Sequence, residues 1–392
     1  MYLNENLRKL SQSYLFREMT DRVNTFKKIN PYSKLINLGI GDYTLPLCSS
    51  VIDSMRKAID EQSKKETFRG YGPEEGYLFL REKIVNYYKA KNVNLSPDEV
   101  FISDGANSDI GNVLDLFSND NFVLIPDPVY PAYVDANIID GREIKYVDAD
   151  VSNNFLPKAP DKKLKSSIIY ICSPNNPTGA TYDFVGLKRW VDYALETESV
   201  IMFDAAYEAF ITDSDLPSTI FSIPGAKRCA IEICSFSKIA GFTGIRCGYT
   251  TICNELKFNG VNLNKVYKRR LVARFNGVSY VTQVGASAIF TEKGMKEVKD
   301  NLDYYKKNAK ILSSALKRKG IFYTGADNSP YVWFQCPNGM KSWEFFDYLL
   351  NDFGIVGTPG VGFGKNGEGF FRLSSFGTNE ETKLAAEKIL KM

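Results

Sequence analysis

The chain has 392 residues, 44% hydrophobic and 24% charged, with a formal net charge of +3. That length exceeds what one hydrophobic core usually serves, so two domains are expected, and the near-neutral balance argues against a dedicated nucleic-acid surface. The absence of histidine excludes Ser-His-Asp catalysis, most zinc enzymes and any histidine proton shuttle, leaving proton transfer to Lys, Tyr or carboxylates.

In chain order, residues 1–44 hold a polar amphipathic stretch and a Gly-Ile-Gly turn at 39–41. The start lacks the apolar core of a signal peptide, and no apolar run reaches membrane-spanning length. Helical periodicity covers Val51–Gln62, Tyr77–Ala90 and Thr181–Thr197. Short apolar strands fall at Val100–Ser103, Phe122–Ile125, Ile168–Cys172, Val200–Asp204, Cys229–Phe236 and Cys247–Ile252. This alternation predicts an α/β fold, a mainly parallel sheet with helices on both faces, whose ligand sits outside the carboxyl ends of the strands. The basic run Lys265–Arg270 reads as a solvated helix face. A long helix, Glu292 to Arg318, leads into a smaller α+β unit. Gly360–Gly369 is glycine-dense and includes Lys365, but it precedes a strand and lacks the strand–loop–helix order of a P-loop, so a turn is expected. Seven unpaired cysteines suggest reduced thiols and a cytoplasmic location, and no metal site is expected.

Chemistry concentrates in three segments. Ser235 to Arg246 sets Lys238 between hydroxyls, with glycines at 241 and 244 and an arginine at its end. Hydroxyls, freed backbone amides and a guanidinium suit a phosphate dianion, and a lysine beside them can condense with an aldehyde. Pyridoxal phosphate carries both groups. Read alone, the segment fits a solvated lysine on a Ser-rich turn better, and it is the other segments that overturn that reading. Asn175-Asn176-Pro177-Thr178-Gly179 follows a buried strand, and an Asn before Pro leaves the helical region, so its amide can enter a cleft. Asp204 ends another buried strand, with Tyr207 three residues on. A carboxylate there needs a cation, such as a protonated pyridine nitrogen; helix capping is the plain alternative.

The ordered set Asn-Pro turn, strand-end Asp with Tyr, then Ser-x-Ser-Lys with Arg resembles the class I and II aminotransferases, the fold-type I pyridoxal-phosphate transferases. Asn37–Asp42, Phe68–Glu74, Ser103–Ala106, Asp127–Tyr133, Phe275–Gly277, Asn328–Trp333, Gly357–Gly364 and Phe370–Leu373 extend the likeness from about Tyr14 to Gly377, in the pattern of the LL-diaminopimelate aminotransferase family.

The resemblance implies a large cofactor-binding domain over 45–285 and a discontinuous small domain from 1–44 and 286–392. It implies pyridoxal 5'-phosphate as cofactor, small-molecule amino and 2-oxo acids as partners, and a homodimer with composite sites. Its activity would move an amino group between LL-2,6-diaminopimelate and 2-oxoglutarate, on the tetrahydrodipicolinate side of lysine and peptidoglycan precursor synthesis. By the same likeness Lys238 is the cofactor-bearing lysine and base, Asp204 the pyridine-nitrogen partner, and Asn176 and Tyr207 donors to the ring 3-oxygen. Tyr130 stacks on the ring. Ser235, Ser237, Arg246, Ala106 and, from a second subunit, Tyr71 surround the phosphate. Arg372 grips the substrate α-carboxylate. Tyr14, Gly41 and Asn276 are further substrate contacts, and Glu74 an acidic contact across the dimer. A packing role stays open for Tyr14, Gly41 and Asn276.

Asn107 departs from the family, which carries lysine in Ser-Asp-Gly-Ala-Lys beside the cofactor phosphate and the substrate's distal end. The chemistry does not require that lysine, but recognition of diaminopimelate can, so a transaminase of the same lineage acting on another amino acid remains the alternative. A lyase of the same fold usually lacks the terminal Arg with a Gly-Ile-Gly-Asp entrance, and a silent cofactor-binding regulator would have lost Lys238, Asp204 or Arg372.

Overall fold

The computed structural model describes residues 1–10, 15–165 and 167–392. Its centre is a seven-stranded sheet in the order Val100–Ser103, Gly248–Ile252, Ala230–Ser235, Val200–Asp204, Ile168–Cys172, Val123–Asp127, Ile144–Asp148. Every residue of strands 168–172, 200–204 and 230–235 is buried, as expected of strands covered on both faces.

Strand 248–252 runs antiparallel to both of its neighbours. The reason is length. The connection, residues 236–247, is at the shortest length a crossover needs, and the helix Phe236–Ala240 takes up part of it, so the chain turns straight back. Strand 144–148 went unread in the sequence because it is an edge strand with no fully buried residue and carries Lys145 and Asp148.

Two hydrophobic cores form. The first runs from Tyr43 to Tyr305 along the chain, with Tyr331 and Phe376 added. The second gathers Leu15, Met19, Ile36 and Leu38 with residues from Ala309 to Ile389. Its four-stranded antiparallel sheet has the order Tyr323–Gly325, Tyr331–Gln335, Phe370–Ser374, Thr358–Pro359, and Ile36–Asn37 pairs in parallel with Ile355–Val356. The 27-residue helix Glu292–Arg318 serves both cores: Val298, Leu302 and Tyr305 enter the first, Ala309, Leu312 and Leu316 the second. The hand-over between cores therefore lies inside this helix, beyond the expected boundary at 285.

The glycine-dense segment forms two short helical turns, Gly360–Phe363 and Lys365–Gly367, before strand 370–374. The amides of Lys365 and Asn366 donate to the Asp127 carboxylate at 3.1 and 3.2 Å. Lys268, Arg270 and Arg274 on helix Leu263–Arg274 pair with Glu75 and Asp115, as an ion-paired surface helix does. No helix among the described residues is long and apolar enough to cross a membrane.

Candidate active site

A pocket of about 370 Å³ opens at the carboxyl edge of the parallel strands. Gly41, Ala106, Asn107, Tyr130, Asn176, Asp204, Tyr207, Ser235, Ser237, Lys238 and Arg246 all line it. They converge because strand ends and helix starts meet on that edge. Asp204 ends one strand, Ser235 ends the next and caps the Lys238 helix, and Ala106 opens helix Ala106–Leu114.

Asp204 is buried, and both its oxygens are held: the Ala206 amide donates to Oδ1 at 2.9 Å, and the Tyr133 hydroxyl donates to Oδ2. It has no ion pair with any described residue, and burial raises its pKa above the ordinary carboxylate value. Lys238 Nζ donates to the carbonyl of Gly41. Burial brings its pKa down to about 8, with Asp42 opposing and Arg372 and Arg246 adding to the shift.

On one side of the pocket the Ser237 amide donates to Ser235 Oγ at 3.1 Å, and Arg246 Nη1 reaches Ser237 Oγ at 3.4 Å and the Thr243 carbonyl at 3.1 Å. Arg246 holds a left-handed φ of +67° to do so. Gly105, with φ +128°, leaves room for it, since a Cβ there would lie 2.5 Å from Arg246 Nη2. Two hydroxyls, a guanidinium and the free amides of a helix start thus face one small volume.

Arg372 approaches from the second core, buried between the rings of Tyr331 and Phe363 at 4.3 and 4.8 Å. Its Nη1 donates to Asn176 Oδ1 at 2.6 Å and its Nη2 to the Gly39 carbonyl at 2.8 Å, while Nε is buried without a hydrogen bond. Tyr207 and Tyr331 share a 2.8 Å hydroxyl contact. Gly41 is spatially required, because a Cβ there would collide with the Tyr331 hydroxyl.

Tyr71, Glu74 and Asn276 do not line this pocket. Tyr71 is 92% exposed, Asn276 is exposed and Glu74 is half-buried. They lie near one another, since a Cβ on Gly277 would come within 3.1 Å of the Pro73 carbonyl and 3.8 Å of Glu74 Cα. Tyr14 lies outside the described residues. Sequence reading missed Tyr133, Tyr331, Asp42 and Thr243. Tyr133 sits one helical turn past Tyr130, in a segment whose likeness was already noted, and that spacing was the available signal for it.

Fold and pocket together define a fold-type I transferase. The chain belongs to the class I and II aminotransferase family, whose model matches residues 33–389. It is 46% identical, over 99% of its length and 98% of the relative's, to a Bacteroides thetaiotaomicron protein named LL-diaminopimelate aminotransferase. A Parabacteroides distasonis protein of the same name is 47% identical over the same shares. The solved L,L-diaminopimelate aminotransferase of Chlamydomonas reinhardtii superposes with a TM-score of 0.94 at 38% identity, covering 100% of this chain and 98% of that one.

Proposed function

We propose that the protein is a pyridoxal-phosphate aminotransferase exchanging an amino group between LL-2,6-diaminopimelate and 2-oxoglutarate, with the two cores as its two domains. The observation that carries this reading is the gathering of Lys238, Asp204 and Arg246 in one pocket, with Arg372 bonded to Asn176 on its wall. The residues fit the cofactor: Asp204 is a buried carboxylate in want of a cation, and the hydroxyl, amide and guanidinium cradle suits a phosphate. Bound there, pyridoxal phosphate supplies the electron sink that lets a bond to the amino-acid Cα ionise.

The chain's own residues do the rest. Lys238 Nζ, desolvated and steered by the Gly41 carbonyl, holds the cofactor and moves the proton at the substrate Cα. Asp204, fixed by Tyr133 and the Ala206 amide, keeps the pyridine nitrogen protonated. Asn176, whose Oδ1 is taken by Arg372, keeps its Nδ2 free to donate and, with the Tyr207 hydroxyl, would hold the ring 3-oxygen. Tyr130, on the pocket wall, would hold the ring by stacking. Ser235, Ser237, Arg246 and the amides at Ala106 and Asn107 hold the phosphate. The Arg372 fork takes the substrate α-carboxylate, a bidentate task for which lysine is no substitute. Tyr71, Glu74 and Asn276 complete the site of a second subunit in a homodimer, a reading supported by their place outside their own pocket and by the exposure of Tyr71 and Asn276.

The test is a screen of amino donors against 2-oxoglutarate, read as glutamate formed. LL-diaminopimelate is expected to be the preferred donor. An enzyme that ignores it while turning over an aromatic or neutral amino acid overturns the substrate assignment and leaves the aminotransferase.

A further inference from the structure

A second cleft, of about 390 Å³, lies behind the helix that carries Lys238. That helix is a two-sided wall: Ser237 and Lys238 line the active pocket, and Phe236 and Ile239 line the cleft. Opposite them stand Phe290 and, from the first half of the long helix, Val298 and Leu302. The lining also holds three lysines, Lys91, Lys299 and Lys306, against two carboxylates, Glu208 and Asp303. Lys91 Nζ lies 2.7 Å from Glu208, which also accepts from Tyr87 at 2.6 Å, and Lys299 pairs with Asp303 at 2.5 Å. Lys306 is left over. It is half-buried and makes no hydrogen bond or ion pair with any described residue. Desolvation, helped by Lys299, lowers its pKa by more than the attraction of Asp303 and Glu208 raises it.

We propose that this cleft binds a small amphipathic carboxylate, its apolar body against Phe236, Ile239 and Leu302 and its carboxylate on Lys306 Nζ. The volume is that of a small-ligand site, with apolar walls and few polar groups. The lining holds three lysines against two carboxylates, and Lys306 alone of the five lacks a close ion pair, so a single added negative charge balances the cleft. Phe236, Ile239, Phe290, Val298 and Leu302 give an occupant with an apolar body more to bury than a wholly polar one would have. Leu302 and Lys306 flank Tyr305, whose hydroxyl accepts from the amides of Thr44 and Leu45 at 2.9 and 2.7 Å, just past Gly41 and Asp42. An occupant therefore rests on the helix that carries Lys238 and on a second helix whose Tyr305 anchors the chain just past the active pocket.

The probe is 4-phenylbutyrate, titrated calorimetrically into the pyridoxal-phosphate-loaded protein. One molecule per chain is expected to bind, and 4-phenyl-1-butanol about tenfold more weakly or worse, as loss of a charge-assisted contact requires. Lys306→Met should weaken the carboxylate by the same factor and Lys306→Arg should restore most of it. Lys306 makes no hydrogen bond or close ion pair with a described residue, and its attraction to Asp303 and Glu208 acts at longer range, so Lys306→Arg should melt with the parent protein and Lys306→Met close to it. Saturating 2-oxoglutarate should leave the affinity unchanged. No binding, equal binding of the alcohol, full affinity in Lys306→Met, or displacement by 2-oxoglutarate would each overturn the proposal.

Discussion

Lys238 is held well below the ordinary lysine value of 10.5, at about 8, chiefly because its ammonium is desolvated. Between those two values the unfolded chain binds a proton that the folded, cofactor-free protein does not, so this group makes the fold more stable as pH rises across that window. The same shift sets reactivity, since only the neutral amine is a nucleophile. Loading of the cofactor-free protein with pyridoxal phosphate should quicken with pH up to about 8 and then level off, followed by visible absorbance. Lys238→Ala should neither load covalently nor retain the cofactor's mass on its peptide after borohydride, and turnover should vanish. Asn107 makes a second prediction at this scale. It is exposed, lines the pocket next to the phosphate cradle, and brings no positive charge. A missing charge-assisted contact of about 1.5–3 kcal/mol corresponds to a KM about ten- to a hundredfold higher, where the contact is equal in ground and transition states. Asn107→Lys should lower KM for diaminopimelate by that order and leave glutamate nearly unchanged; equal effects on both donors would remove Asn107 from distal recognition.

Gly105 shows how an element is aimed. At φ +128° it redirects the chain from strand 100–103 into helix Ala106–Leu114, and its missing side chain is what lets Arg246 close over the helix start. Gly105→Ala must relieve both the backbone and the 2.5 Å approach to Nη2, so about 1–3 kcal/mol of stability should be lost. Cofactor affinity, measured by equilibrium dialysis, should fall with it; a variant of parental melting temperature and affinity would show that the loop yields freely. Much at this level was legible beforehand. The long helix spans Glu292–Arg318 as read, because an amphipathic period sustained over 27 residues behind a Thr291 cap has no competing interpretation. The strands with wholly buried residues were legible for the same kind of reason. Direction was not: the chain reverses at 248–252 through a connection at the lower limit of crossover length, which periodicity does not report. The pocket divides similarly. Lys238, Asn176 and Asp204 sit in local motifs whose chemistry is visible residue by residue. The Tyr133 bond to Asp204 and the Tyr331 contact with Tyr207 join positions 71 and 124 residues apart, and only packing brings them together.

Across the whole molecule, Tyr71 and Asn276 sit on the surface while the pocket is built without them. If each serves the other subunit, two defective chains can repair one another. Mixing Lys238→Ala with a Tyr71→Phe, Asn276→Ala double variant should return one working site per mixed dimer, about half the activity of a native dimer. Mixed dimers that form without regaining activity would place each site within a single chain.

The shared helix bears on how the protein comes apart. At 1.5 Å per residue its 27 residues extend about 40 Å, one half anchored in the core that starts at Tyr43 and the other in the core that joins Leu15–Leu38 to residues 309–389. Melting either core alone would strip one half of this helix of its burial while leaving the other half docked, and a helix stripped of its packing is marginal in water. Loss of one core therefore exposes the next turn of the other, and unfolding propagates along the rod rather than pausing at a boundary. Despite its two cores, the chain is built to denature in a single cooperative event, with one calorimetric peak where two separable units would give two.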